Sequence, residues 1–484
     1  MGLGRRIFKN TAYLAVGDKL GYLFQFIFFL YFARKFGVAP AGEYSFGFTY
    51  TYAFFVLADF GISVYLVREV ARNRSGGRQL FADCLVLRAV STVSSFFLAA
   101  GVLVLLFGDA SPQKIRLIGY WGGYWIFYSL ADVFLSELKG YEKMGQVALL
   151  GLFLKIFSTG AGVLLIYFGL DYDTVLIVLP VSSLIYLGAC VAFSIHWPGS
   201  ARAHFGSLAH YRKLLAELWP FYLTMILVEL LYIEDVLVLG LIRDDRSVGI
   251  YSSAIKIVSF IIGISPFFHV AMLPVMSRLF VESKEQLAAV AQRSLRYLAI
   301  LGLPISAGLV ATSDQIIRLF YSEKFLEASV VLKITSWTIA TGFLQAIFSV
   351  LLTAINRQKE KVAFIGINFG LITILNLVFV SHFGYVGAAV VKLAADILVL
   401  IFFVYLVSKY FVPLSIFRAV VKPGFACLLM GAFAIHFHHW GLLYLIPASA
   451  AVYLVTFIIL GGLSPEEAKF LKNLVWKRSC GEIS

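Results

Sequence analysis

Apolar runs of about twenty residues follow one another almost without interruption from Thr11 to Gly462, and that recurrence constrains the fold more than any single motif. A helix rises about 1.5 Å per residue, so roughly 20 residues cross the ~30 Å hydrocarbon layer of a bilayer. Fourteen such runs can be counted. The composition agrees: 60% of the residues are hydrophobic and only 14% charged, where a soluble domain is nearer half and a quarter. The fold class is therefore all-α, a polytopic membrane protein of about 14 spans. The first run is too long for a signal peptide and lacks a small-residue cleavage site, so it reads as a retained first helix.

The net charge of +13 could suggest nucleic acid, but Lys and Arg form short clusters between spans, not an extended basic face. The clusters alternate. One side holds Arg5, Arg6 and Lys9, then the loops around Arg68 to Arg78, Lys139 to Lys143, Arg202 to Lys213, Arg278 to Arg296, Arg357 to Lys361 and Lys409 to Lys422, and finally the tail. The other side has Arg34, Lys35, Lys114, Arg116, Arg243, Arg246, Arg318 and Lys324. The richer side outnumbers the poorer about threefold and is expected to be cytoplasmic, with both termini there, in the inner or plasma membrane. No loop is long enough to fold as a domain, which weighs against a glycan polymerase or ligase working from a large external loop.

The chain repeats itself. AGEYSFGFTYTYAFF (41–55) follows span 1 and VGIYSSAIKIVSFI (248–261) follows span 7, aligning Gly42 with Gly249, Tyr44 with Tyr251 and Ser45 with Ser252. A second echo pairs KGYEKMGQVALLG (139–151) with NRQKEKVAFIGIN (356–368). An offset of an even number of spans leaves both halves in the same orientation, the parallel-repeat architecture of transporters whose halves rock around a central site. The expected organisation is an N-terminal lobe over 1–195, a cytoplasmic linker over 196–213, a C-terminal lobe over 214–408, an extra helix pair over 409–463 and a tail over 464–484. The two six-helix lobes are expected to be related by pseudo-two-fold symmetry around a central cavity. In the tail, Ser464, Pro465 and Glu467 have the spacing of a capping box that starts an interfacial helix.

Several stretches carry a family resemblance: FARKFGVAPAGEYSF (32–46), ADFGISVYLVREVAR (58–72), EDVLVLGLIRDDRSVGIYSSAIKI (234–257), LPVMSRL (273–279) and AINRQKEKVAFIGINFGLITILNLVFVSHFGYVGAAVVKL (354–393). In this order they resemble the polysaccharide-exporter branch of the flippase superfamily that also holds multidrug and toxin extrusion transporters and the lipid II flippase. The resemblance implies a flippase that moves a polyprenyl-diphosphate-linked oligosaccharide from the cytoplasmic to the outer leaflet by alternating access. It implies membrane lipids and glycan-assembly proteins as surroundings, a monomer, no nucleic acid and no cofactor. Coupling would be to H⁺, Na⁺ or the membrane potential. Two alternatives stay open: a cation-coupled exporter of organic cations, which would want an acidic cavity, and a polytopic glycosyltransferase or ligase, which would want paired carboxylates at the membrane surface.

Charges inside spans are the candidate site residues, since each costs at least ~2.5 to 3.5 kcal/mol at a helix centre and must face protein or water. A diphosphate leaving the interface needs cationic donors in place of water. Lys19, Arg88, Lys155, Lys256 and Lys333 are the candidates. Asp18, Glu229, Glu234 and Asp235 are the acids that would balance them or take a coupling ion. Asp18 and Lys19 lie about 13 Å into span 1. Glu229, Glu234 and Asp235 point in different directions around one helix, so no single stripe holds all three. Glu229 is the candidate for a cavity or proton-linked role, and Asp235 is expected to pair with Lys256. Asp59 and Asp132 read as partners of loop cations such as Arg68 or Lys139, Glu217 as an acid at its helix N-terminus, and Lys392 with Asp396 as an i,i+4 pair.

Other features read as structure. Cys84, Cys190, Cys427 and Cys480 are scattered without a CxxC and read as small buried side chains. His436, His438, His439 and Trp440 read as an interfacial anchor, and Gly366 with Gly370 as a packing face. Asn73-Arg-Ser75 matches a glycosylation sequon in a loop assigned to the cytoplasm.

Overall fold

With no water in hydrocarbon to satisfy the backbone, the chain's answer is helix nearly throughout. In a computed structural model, residues 3–73, 77–107, 112–195, 208–263 and 265–462 are described. Among them lie α1 (Leu3–Phe36), α2 (Val38–Asp59), α3 (Ile62–Arg72), α4 (Gly77–Phe107), α5 (Pro112–Gly140), α6 (Met144–Tyr167), α7 (Tyr172–Ile195) and α8 (Leu208–Ile242). Then come α9 (Asp245–Ile262), α10 (Ser265–Glu282), α11 (Lys284–Phe320), α12 (Ala328–Thr335), α13 (Trp337–Ala354), α14 (Gln358–Tyr410), α15 (Ile416–His436) and α16 (Leu442–Ile459).

Among the described residues ten helical stretches are long and apolar enough to span a membrane, and α2 with α3 adds an eleventh, bent by 41°. That bend has a local cause: Phe60 (φ 48°) and Gly61 (φ 76°) both stand in the left-handed region, which ends one helix and starts the next. α14 holds 53 residues, roughly 80 Å of helix and too long for one crossing; it breaks at Gly384, whose φ of 58° and ψ of −136° only glycine adopts without strain. Counted as two, and with the more polar α5 and α8 included, the set reaches the fourteen spans expected. Large apolar side chains such as Leu105, Leu443 and Ile459 are exposed, as a lipid-facing surface requires.

The contacts group into two units. One comprises Met1–Gly263, Phe320–Ala328 and Val362–Val391. Within it α1 packs on α6, α5 on α7 and α2 on α9. An aromatic core built from Phe28, Phe32, Trp121, Tyr124 and Trp125 holds α1, α5 and α7 together, with Trp125 stacked on Phe55 of α2 at 4.6 Å. The other unit comprises Ile264–Leu319, Ser329–Lys361 and Lys392–Ser484. There α15 and α16 pack against each other and against α11: Tyr453 donates to Ile300 O (2.9 Å), and Gln292 exchanges two hydrogen bonds with Ser415 (3.0 and 2.8 Å). Cys84, Cys190 and Cys427 are buried free thiols. The rings of His436, Phe437, His439 and Trp440 cluster after α15. A Cβ on Gly366 would meet Leu227 of α8 at ordinary contact distance and one on Gly370 would have open space, so neither glycine is a point of close helix approach. The tail with Ser464, Pro465 and Glu467, residues 196–207 of the linker, Arg74 and Ser75 of the sequon, Cys480 and the Glu217 side chain lie outside the described residues.

Candidate functional site

The helix that carries most of the buried acid is α8, and each of its three carboxylates meets a different neighbour. Glu229, half-buried, accepts from the hydroxyl of Tyr52 on α2 at 2.7 Å. Both carboxylate oxygens of Glu234 accept from Asn376 Nδ2 on α14, at 3.0 and 3.1 Å. Asp235 accepts from Tyr251 of α9 at 2.7 Å. The geometry follows from 100° per residue: adjacent acids on one helix cannot share a partner. The donors named here, two phenols and a carboxamide, are neutral groups. Asn376 is fully buried, and among the described residues its Oδ1 has no hydrogen-bond partner.

The expected Asp235–Lys256 pair is not formed. Lys256 extends from α9 over the ring of Phe29 on α1, 4.3 Å from its centre, and among the described residues no carboxylate stands within ion-pair distance of it. Tyr251, one turn nearer the start of α9, takes the position beside Asp235.

Lys19 and Lys155 meet at Tyr22. Their ammonium groups lie 5.7 and 5.0 Å from the centre of its ring, and Lys155 also pairs with the exposed Asp18 at 3.6 Å. Asp18, Glu229 and Tyr232 are the electrostatic neighbours of the Tyr22 hydroxyl. Lys155 arrives from α6 by crossing Gly21 of α1: a Cβ there would run into the Lys155 side chain, with Nζ at 2.8 Å and Cε at 2.9 Å. Lys19, Tyr22, Lys155, Glu229 and Lys256 thus share the surfaces of α1, α6, α8 and α9 within one unit.

Arg88 has a different surrounding. It is 1% exposed, ion-paired with Asp59, 3.9 Å from Asp132 and stacked over Phe55. Ser63 Oγ lies within hydrogen-bond distance of both carboxylates, 2.9 Å from Asp59 and 2.6 Å from Asp132, and its single O–H donates to one of them at a time; Lys139 lies 3.8 Å from Asp132. This network clasps the α2–α3 break to α4 and α5. Ser91 reinforces it by donating to Ala58 O at 2.8 Å. Removing one member would leave uncompensated buried charge, which costs several kcal/mol. Lys333 belongs to the other unit, where it pairs with Asp314 at 3.0 Å, both side chains being largely exposed.

The five cations foreseen in the sequence therefore divide three, one and one. Lys139 as a partner of Asp132 was foreseen; Arg88 as the main partner of both Asp59 and Asp132 was not, because three residues on separate spans give no spacing signal. Tyr22, Tyr52 and Asn376 were missed for a related reason: neutral side chains in an apolar run look like packing. Asn376 lies in the quoted motif, and its polarity in a span was the available signal. Lys361 was assigned to a loop cluster, yet it donates to Ser349 of α13 at 2.7 Å and lies in the electrostatic field of His269.

The comparisons with known proteins agree with this helical frame. Residues 7–280 match the family described as "Polysaccharide biosynthesis protein", and residues 220–380 match MatE. The probable low-salt glycan biosynthesis flippase Agl15 of Haloferax volcanii is 23% identical over 396 residues, 79% of each chain. Among solved structures, the lipid II flippase MurJ in an inward closed conformation superposes with a TM-score of 0.73 at 18% identity, over 92% of this chain and 98% of that one. An inward-facing multidrug resistance MATE family transporter gives a TM-score of 0.62 at 15% identity, over 81% and 95%. With more than half of the chain matched in sequence and the fold shared along most of its length, this protein belongs to the polysaccharide biosynthesis protein family, the polysaccharide-exporter branch of the multidrug/oligosaccharidyl-lipid/polysaccharide flippase superfamily.

Proposed function

We propose that the protein is a flippase that carries a polyprenyl-diphosphate-linked oligosaccharide from the cytoplasmic to the outer leaflet by alternating access. Family membership and the likeness to a glycan flippase support the substrate class. The observation that carries it is the row of cations along the α1–α9 seam. Lys19 and Lys155 stand at Tyr22, and Lys256 stands seven residues before Gly263, about 10 Å further along α9. Among the described residues, Lys256 has an aromatic ring and no carboxylate beside it. A diphosphate drawn from the interface would exchange water for these ammonium groups one after another. An exporter of organic cations would place its acids there without the lysines.

Energy coupling belongs to the acids of α8. Glu229 with Tyr52, and Glu234 with Asn376, are carboxylates on neutral donors that would be neutralised by H⁺ or by Na⁺ during the cycle. At Glu234 the unpartnered Asn376 Oδ1 is an acceptor ready for a proton on the carboxyl after an amide flip. The Lys- and Arg-rich loops support a cytoplasmic side for both termini, in the plasma or inner membrane.

The test is deletion of the gene followed by mass spectrometry of lipid-linked oligosaccharides with a membrane-impermeant label. The proposal expects a polyprenyl-diphosphate oligosaccharide to accumulate in the cytoplasmic leaflet. Unchanged lipid-linked glycans together with altered resistance to organic cations would reject it in favour of the exporter.

A further inference from the structure

The last turn of a helix leaves carbonyl groups without intrahelical partners, and that end carries partial negative charge. α9 ends at Ile262, and Gly263 caps it by donating its N–H to Ser259 O at 3.0 Å. The ammonium of Lys19, on α1, lies where a side chain on Gly263 would stand. A Cβ built there collides with Nζ and comes within 3.5 Å of Cε and 3.2 Å of Ser259 O. Gly263 has φ −57°, a conformation open to any residue, so the backbone does not demand glycine. What the missing side chain provides is room for the ammonium. On its other side the same ammonium faces the Tyr22 ring that it shares with Lys155.

We propose that Lys19 is a two-position cation, which caps the end of α9 while no anion is bound and moves to the phosphates of the substrate when one arrives, so that binding uncaps α9. Gly263 is the positioning residue that keeps the first position open. The proposal rests on the diphosphate reading above and adds the link between loading and motion. The far end of α9 crosses α2 at Gly249, so the helix released at one end is the helix that makes the α2 crossing at the other. The place over the last turn of α9 and a place on a phosphate are separate positions for one ammonium, and the stronger charge of the phosphate draws it from the first to the second. Affinity for the anion is accordingly reduced by the fraction of molecules in which Lys19 is docked on α9.

The experiment titrates inorganic pyrophosphate into the full chain in phosphatidylcholine nanodiscs, read by calorimetry and by hydrogen exchange over residues 259–263. The proposal expects Gly263→Ala, which evicts the ammonium without backbone strain, to bind pyrophosphate about threefold tighter or more. It expects Lys19→Gln to bind more weakly, with exchange in the last turn of α9 already raised before any anion is added. In the unsubstituted protein, pyrophosphate raises that exchange. Thermal melting of both variants checks that they fold. Binding in Gly263→Ala equal to or weaker than the unsubstituted protein, or wild-type exchange in folded Lys19→Gln, overturns the transfer alone. A protein that binds no pyrophosphate at all overturns the diphosphate reading and the transfer together.

Discussion

Gly42 of α2 and Gly249 of α9 fill each other's missing side-chain space. A Cβ on Gly42 would stand 2.7 Å from Gly249 N and collide with Asp245 O, while one on Gly249 would stand 3.1 Å from Gly42 N and collide with Val38 O. The contact is reciprocal in sequence as well: Gly42 and Gly249 are matched by the internal repeat, and the same register matches Val38 with Asp245, the first residues of α2 and α9. A pair that exchanges equivalent contacts is what a two-fold relation between the repeated helices produces.

Gly42→Ala and Gly249→Ala are each expected to force these helices apart, at about 1 to 3 kcal/mol, the usual cost of overpacking. Because both remove the same close approach, the double variant should lose clearly less than the two singles added together. Thermal melting of the purified protein in detergent measures all three; strict additivity would mean that the two glycines are not one contact.

The Arg88 clasp makes a separate prediction about stability. Arg88→Ala leaves Asp59 and Asp132 without their shared partner and should destabilise by about 3 to 5 kcal/mol, seen as poor yield and a lowered melting temperature. Arg88→Lys should rescue only part of this, since one ammonium cannot reproduce a guanidinium held between two carboxylates. A lysine variant as stable as the original would show that the fork geometry is irrelevant.

Gly21→Ala separates position from presence. The added methyl displaces the flexible Lys155 side chain from Tyr22 and Asp18 while every charge remains. Transport of a lipid-linked oligosaccharide in vesicles should fall about as far as in Lys155→Gln, with melting temperature nearly unchanged. Full transport in folded Gly21→Ala would remove Lys155's placement from the mechanism.

For coupling, Glu229→Gln and Glu234→Gln keep shape and remove charge. In vesicles with an imposed H⁺ or Na⁺ gradient, at least one should abolish the dependence of transport on that gradient while Tyr52→Phe only weakens it, because the phenol supplies a single hydrogen bond to Glu229. Gradient dependence intact in both would exclude the α8 acids.

Asp244 caps α9 at its first turn, accepting from Ser247 N at 3.2 Å and Ser247 Oγ at 2.5 Å, and the hydroxyl's hydrogen bond is the main reason its carboxyl lies below the ordinary range. A lowered folded value means that the stabilisation is present in full above the unfolded value and is lost as pH falls through the folded one. Asp244→Ala should cost about 1 kcal/mol near neutral pH. Melting curves taken at successively lower pH should show the gap to the unsubstituted protein closing.

The run of apolar segments was enough to determine the class of fold and the number of spans, because hydrocarbon leaves a backbone few options and each crossing has a fixed length. The same reasoning flagged Lys19, Lys155, Lys256, Glu229, Glu234 and Asp235, since a charge in a span is costly wherever it ends up. Which of them meet was decided by tertiary structure. Asp235 found Tyr251 and not Lys256, Arg88 joined Asp59 and Asp132, and Lys19 reached the end of α9 through the space left by Gly263. Partners on separate helices are set by the rotation and closeness of packing between them, and local sequence spacing carries no record of either.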